Sequence, residues 1–123
     1  MIEKIYNQKK LYALIVRRDY QKKTGVNFFT DKESTQQFGY MNHKKNHTIQ
    51  PHLHRKRLKK IYDTMEVLII LSGSLKVDFY NNKKKYLFSN KVNKNDILIL
   101  LTSGHGFKIL KNCKFIEVKQ GPY

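Results

Sequence analysis

Glu66-Val67-Leu68-Ile69-Ile70-Leu71, followed by Ser72-Gly73-Ser74 and then Leu75-Lys76-Val77-Asp78-Phe79-Tyr80, is the stretch whose reading decides the fold. The last run alternates apolar and polar side chains, the period of a strand with one face in a core. The first is short, apolar and β-branched, as a buried strand is, and Ser72-Gly73-Ser74 reads as the turn between them. Asn81-Asn82 offers another turn, because asparagine tolerates positive φ. Further on, Tyr86 to Phe88, Asp96 to Leu101, His105 to Leu110 and Lys114 to Lys119 read as strands. They are broken at Lys94-Asn95, Ser103-Gly104 and Lys111-Asn112. Short strands recurring every ~8 to 12 residues predict an all-β sandwich or barrel, with no helix needed from Gln36 onward. Leu68, Ile70, Leu75, Val77, Phe79, Ile97, Ile99, Leu101, Phe107 and Ile109 are expected to fill it. The first 35 residues are less sharp. Leu11 to Val16 suits a buried strand, whereas Ile2, Ile5 and Tyr6 would also suit one face of a short helix, and strands are the preferred reading.

A chain of 123 residues can bury one core, so a single domain over 1–123 is expected, with N-terminal strands in 1–35 and the barrel core in 36–123. No apolar run approaches the ~20 residues of a membrane helix, and Met1 is not followed by a signal-type segment, so a cytoplasmic protein with no membrane partner is expected. Cys113 is the only cysteine, which excludes an intrachain disulfide and a cysteine-based metal site, and it reads as a small buried hydrophobe. The formal charge of +16 would ordinarily suggest a polyanionic partner. Only Arg17, Arg18, Arg55 and Arg57 carry the guanidinium fork that phosphate and base recognition favours, and the lysines are scattered over the whole length. A solvated basic surface is expected, with no nucleic acid as partner.

The chemistry concentrates in histidines. In a strand, residues two apart share a face, so Pro51-His52-Leu53-His54 puts both imidazoles on one side. Glu66 shares its face with Leu68 and Ile70 and would add a carboxylate oxygen from the same interior. His105, in Ser103-Gly104-His105-Gly106-Phe107, lies between glycines that permit a close backbone approach. Together His52, His54, Glu66 and His105 form a candidate site for one divalent transition metal ion. Neutral imidazoles with a carboxylate suit manganese, iron, nickel, copper or zinc.

Pro51-His52-Leu53-His54, then Glu66-Val67-Leu68, Gly73, Asn95-Asp96-Ile97-Leu98 and Gly104-His105-Gly106-Phe107 resemble, in order, the two motifs of the cupin superfamily. The closing Glu117-Val118-Lys119-Gln120-Gly121-Pro122-Tyr123 looks like a small bacterial cupin group whose members often accompany polysaccharide or nucleotide-sugar genes. The resemblance implies a double-stranded β-helix (a jelly-roll barrel), a homodimer, and a three-histidine, one-glutamate metal site inside the barrel. It does not imply one reaction. Residues 55–65 separate His54 from Glu66 by more than the usual spacing. Lys94-Asn95-Asp96 replaces the usual proline-glycine-aspartate, a turn that asparagine should preserve. Ser103 stands where related sequences often have glycine.

His43 and His47 are four apart, but Asn42, Lys44, Lys45 and Asn46 around them read as a solvated turn, so they are not taken as ligands. In Arg55-Lys56-Arg57-Leu58-Lys59-Lys60 a hydrated loop is the first reading, and an anion-attracting mouth the second. There Arg57, then Arg55, could hold a carboxylate or phosphate. Gln37 and Tyr40, with Met41 and Gln50, are further candidate pocket residues. The leading expectation is a metal-dependent cupin that binds or transforms a small, oxygen-rich, anionic molecule. The alternatives are a metal-free sugar-nucleotide isomerase or epimerase using His52 or His54 as base, and a non-enzymatic binding barrel. Ile49-Gln50-Pro51, where such isomerases carry arginine-glycine, weighs against the first alternative.

Overall fold

Alternation along the chain becomes eight strands in a computed structural model, which describes residues 1–22 and 24–122. These are β1 (Ile2–Asn7), β2 (Lys10–Val16), β3 (Gly25–Phe28), β4 (Gly39–Asn42), β5 (Glu66–Tyr80), β6 (Tyr86–Asn93), β7 (Ile97–Leu100) and β8 (Gly104–Lys119). The all-β expectation holds, including strands in place of a helix at the N-terminus, and among the described residues no helix is long and apolar enough to cross a membrane. The chain divides into two compact units, Met1–Tyr20 with Asp63–Tyr123, and Gln21–Tyr62.

In the larger unit, β1, β2, β7, β5 and β6 follow one another across a sheet, and β8 pairs with β5 as well. This is possible because β5 does two jobs along its length. Its first four residues, Glu66 to Ile69, pair with β7, and its far end, from Ser74, pairs with β6. Strand β8 accompanies both parts, with Glu66 opposite Lys119 and Tyr80 opposite Gly104. The sheet therefore curls into a half-barrel around β5.

Here the structure departs from the expected turns. Ser72-Gly73-Ser74 does not end a strand but bends one, and Lys111-Asn112 likewise lies inside β8. The β5–β8 register slips at Ile70/Ser72, Ser72/Ser74 and Ser74/Leu75, the signature of bulges that kink a strand without breaking the sheet. Gly73 makes the kink possible. Its φ is +73°, and a Cβ there would lie 2.0 Å from the carbonyl oxygen of Asn112.

The concave face is filled as alternation dictates. Leu68, Ile70, Leu75, Val77 and Phe79 from β5 pack with Tyr12, Ala13, Ile15, Val92, Leu98 and Leu100. The Phe79 ring stands 5.2 Å from Phe88 and 6.4 Å from Tyr12. Cys113 is half-buried against this core, and burial pushes its thiol pKa up, which leaves it a weak nucleophile. Of the expected core, β7 takes the opposite parity: Leu98 and Leu100 enter the cluster, whereas Ile97 and Leu101 are half-buried and Ile99 is buried outside it, because the unbroken apolar run from Ile97 to Leu101 carries no alternation to tell its two faces apart. Phe107 and Ile109 are instead 36% and 50% exposed. The reason is topological: among the described residues β8 pairs only with β5, so nothing covers its outer edge. Leu110, Phe115, Ile116 and Val118 are left in water with them.

The ends of β2 and β7 are tied by Arg17. Its guanidinium forks onto Glu3 at 2.9 and 2.7 Å and reaches Asp96 at 2.8 Å, and these partners hold its pKa above the ordinary arginine value. Asp96 is buried and also accepts from the backbone N–H groups of Arg18 and Asn93. Asn95 adopts φ +67°, as the asparagine-for-glycine reading required.

In the smaller unit β3 pairs antiparallel with β4, Gly25 opposite Asn42 and Phe28 opposite Gly39. The 29–38 connection is held by Gln37, whose amide accepts from Thr30 Oγ1 at 3.0 Å and donates to the carbonyls of Asp31, Lys32 and Ser34. From His47 to Tyr62 the chain is neither strand nor helix and is exposed throughout. The strand geometry expected for Pro51 to His54 is thus not formed. Pro51 lacks a backbone donor, and the five cations of 55–60 repel one another, so neither supplies the pairing a strand needs.

Gly73→Ala should destabilise the larger unit by about 3 kcal/mol, from left-handed strain plus the clash with Asn112. A denaturant midpoint shifted by less than a third of that, at unchanged slope, would show that β5 bends without needing glycine.

Candidate functional site

Strand parity places Glu66 at the start of β5 and the bend at Gly73 turns the strand, so its two ends approach each other. His105 opens β8, opposite Phe79 near the far end of β5. The outcome is that His105 Nε2 stands 3.1 Å from Glu66 Oε2, across 39 residues of sequence. Both side chains are largely shielded, with 22% and 15% exposure. Two of the four expected ligands are therefore brought together.

Around this pair, Lys119 Nζ lies 4.0 Å from Glu66 Oε1 and 3.7 Å from Glu117 Oε2. The His105 ring lies 5.4 Å from that of Phe107. His105 Nδ1 is 3.3 Å from the carbonyl oxygen of Ser103. With its proton on Nδ1 and donated there, the ring turns the Nε2 lone pair toward the carboxylate. Two acceptors facing each other at this distance require a proton or a cation between them. The spacing fits either: 3.1 Å is an ordinary length for a hydrogen bond between imidazole and carboxylate, and donors in adjacent positions on an ion with bonds of about 2.1 Å, about 90° apart, lie about 3.0 Å from each other. A cavity of about 320 Å³ adjoins His105, lined also by Tyr80, Lys84 and Gly104.

His52 and His54 belong to the smaller unit, and their rings stand edge to face with centroids 5.2 Å apart. His52 Nδ1 is 2.9 Å from the carbonyl oxygen of Gln50, which leaves its Nε2 available. Within either unit, among the described residues, no three histidine, cysteine, aspartate or glutamate side chains gather. Of the four expected ligands, the larger unit thus holds an imidazole with a carboxylate and the smaller unit an imidazole with an imidazole.

The remaining candidates are placed as follows. Arg55 and Arg57 project from the irregular, exposed 47–62 segment. Gln37 is committed to the 29–38 connection, and Tyr40 is half-buried on β4. His43 and His47 stack at 4.1 Å in a turn closed by His47 N–H donating to Lys44. Lys119, Tyr80 and Lys84 were not singled out by sequence reading. Only Lys119 carried a signal, since it sits two residues after Glu117 in the last strand.

Ser103 adopts φ +146°, a region open to glycine and strained for serine, and its hydroxyl is buried without a partner among the described residues. Sequence reading had marked this position as one that glycine would suit. Comparison with family models, with curated proteins and with solved structures finds no match.

Ser103→Gly should stabilise the protein by about 1 kcal/mol, strain relief outweighing the added freedom of the unfolded chain. A lowered melting temperature would mean that the serine hydroxyl has a role in holding the His105 turn.

Proposed function

We propose that this chain is a metal-dependent cupin in which His52, His54, Glu66 and His105 together hold one divalent transition metal ion. The observation that carries the reading is the 3.1 Å approach of His105 Nε2 to Glu66 Oε2. Residues far apart in sequence and singled out as ligands meet with their donor atoms at the spacing of neighbours on one ion. His52 and His54 supply two further nitrogen donors on an exposed segment, so binding an ion would draw that segment out of solvent.

When bound, the ion would polarise an oxygen of its ligand as a Lewis acid. The chain's own residues set what that ligand is. Lys84 beside the His105 cavity and Lys119 beside Glu66 favour a small, oxygen-rich anion, and Tyr80 offers a hydroxyl for orienting it. The Ser103 carbonyl, 3.3 Å from His105 Nδ1, would accept its proton and so favour the tautomer that coordinates through Nε2. A homodimer and a jelly-roll closure belong to the same proposal.

Elemental analysis of protein purified without chelator should find near one metal per chain. Glu66→Ala and His54→Ala should each weaken retention by ~100-fold or more. In the unsubstituted protein, added ion should slow tryptic cleavage within Arg55 to Lys60. Full metal occupancy in both variants would defeat the ligand assignment. A chain that neither retains nor takes up an ion would instead leave Glu66 and His105 as an acid–base pair.

A further inference from the structure

A second concavity lies away from the Glu66–His105 pair. Gly73 and Ser74, midway along β5, form part of its wall, whereas Glu66 and Tyr80 are the two ends of that strand. The cleft has a volume of about 980 Å³, within the range of small-molecule sites. Its walls come from the end of β2 (Arg17, Arg18), the end of β6 and the following turn (Lys91, Asn93, Lys94, Asp96), the kink of β5, and the middle of β8 (Leu110, Lys111).

The charges lining it fall into two sets. Arg17 is spent on Glu3 and Asp96, and the terminal ammonium of Met1 stands 2.8 Å from Asp19. Arg18, Lys91, Lys94 and Lys111 remain, and among the described residues none of them forms an ion pair with a carboxylate. Four unbalanced cations from three separate parts of the chain around one concavity repel one another in the folded state, a cost that a bound anion removes. The scaffold beneath them is rigid. Buried Asp96 accepts from Arg17, from the N–H of Arg18 and from the N–H of Asn93, so the backbone carrying Arg18 is fixed to the turn carrying Lys94.

We infer that this cleft is a binding site for a small molecule bearing a diphosphate group. One phosphate carries about 1.5 to 2 negative charges near neutral pH, so a single one underuses four cations and two adjoining ones match them. The Arg18 fork suits phosphate oxygens in pairs, and the lysines act as movable point charges. The volume exceeds what a diphosphate fills, and Leu110, 45% exposed, gives the remainder of the ligand an apolar wall. The site is independent of any metal bound by Glu66 and His105.

Calorimetric titration of the full chain at about 0.15 M salt, with inorganic pyrophosphate and with inorganic phosphate, tests this directly. Pyrophosphate should bind about one per chain and at least ~10-fold more tightly than phosphate. The double variant Arg18→Gln/Lys111→Gln should lose ~10-fold or more in affinity. These side chains are exposed, and far-ultraviolet circular dichroism confirms that the variant is folded. No heat with pyrophosphate overturns the inference, as does an equal loss on Lys4→Gln/Lys59→Gln, which lowers net charge outside the cleft. A single-stranded oligonucleotide that binds tighter than pyrophosphate, with affinity falling steeply in salt, would also overturn it in favour of a nucleic-acid surface.

Discussion

Where β5 passes β8 at Gly73, the two backbones come so near that a single methyl group would sit 2.0 Å from the Asn112 carbonyl oxygen. That contact lets one strand serve two neighbourhoods. Before the kink β5 lies between β7 and β8, and after it between β6 and β8. The bulges there bend β5 beyond the ordinary twist of a strand and deepen the concavity that its core face fills. There Leu68 and Ile70 from one half meet Leu75, Val77 and Phe79 from the other in a single apolar cluster. The approach of Glu66 to His105 is a consequence of the same bend, because it returns the end of β5 toward its beginning.

The half-barrel keeps its charge under uneven control. Acidic groups are few, and several of them are used on specific cations: Glu3 and Asp96 on Arg17, and Asp78 on Lys76 at 2.9 Å. Lys76 first, and then the hydroxyl of Ser89, hold the Asp78 carboxyl below its ordinary range. That contribution is complete above the ordinary carboxylate pKa and is lost as pH falls through the lowered one. The rest of the basic residues are left to water or to ligands. Most lie dispersed on strands and turns where hydration suffices. The exception is the cleft beside the β5 kink, where four cations converge on one concavity. The proposed metal centre and the proposed diphosphate site thus sit at different places on β5 and would draw on different chemistry, donor atoms in one case and net positive charge in the other.

Much of the fold was legible as periodicity. The alternation from Leu75 to Tyr80 identified a strand with one face buried, and Val77 and Phe79 are fully enclosed. The asparagine of Lys94-Asn95-Asp96 was readable as a positive-φ turn, since the left-handed region admits few other side chains. Glu66 and His105 were readable as partners by parity and by the glycines flanking the histidine. Other features were not. Ser72-Gly73-Ser74 and Lys111-Asn112 have turn composition yet lie inside strands, because glycine permits both a turn and a kink, and local composition does not distinguish them. Phe107 and Ile109 have core periodicity yet are exposed, because alternation reports which face a side chain takes and not whether a neighbour covers it.

By itself, then, the amino-acid order determined what short-range physics controls: the all-β character, the facing of side chains where apolar and polar residues alternate, as from Leu75 to Tyr80, the turn at Asn95, and which residues have the chemistry to ligate a cation. Only the tertiary structure decided that β5 bends where a turn was expected, that Glu66 and His105 come within 3.1 Å, and that the outer edge of β8 is left without a strand. It also decided that Arg18, Lys91, Lys94 and Lys111, scattered in the sequence, line one cleft. The physical reason is common to all four. Each depends on how far apart segments pack, a matter of long-range backbone approach and shared burial that no local pattern of residues encodes.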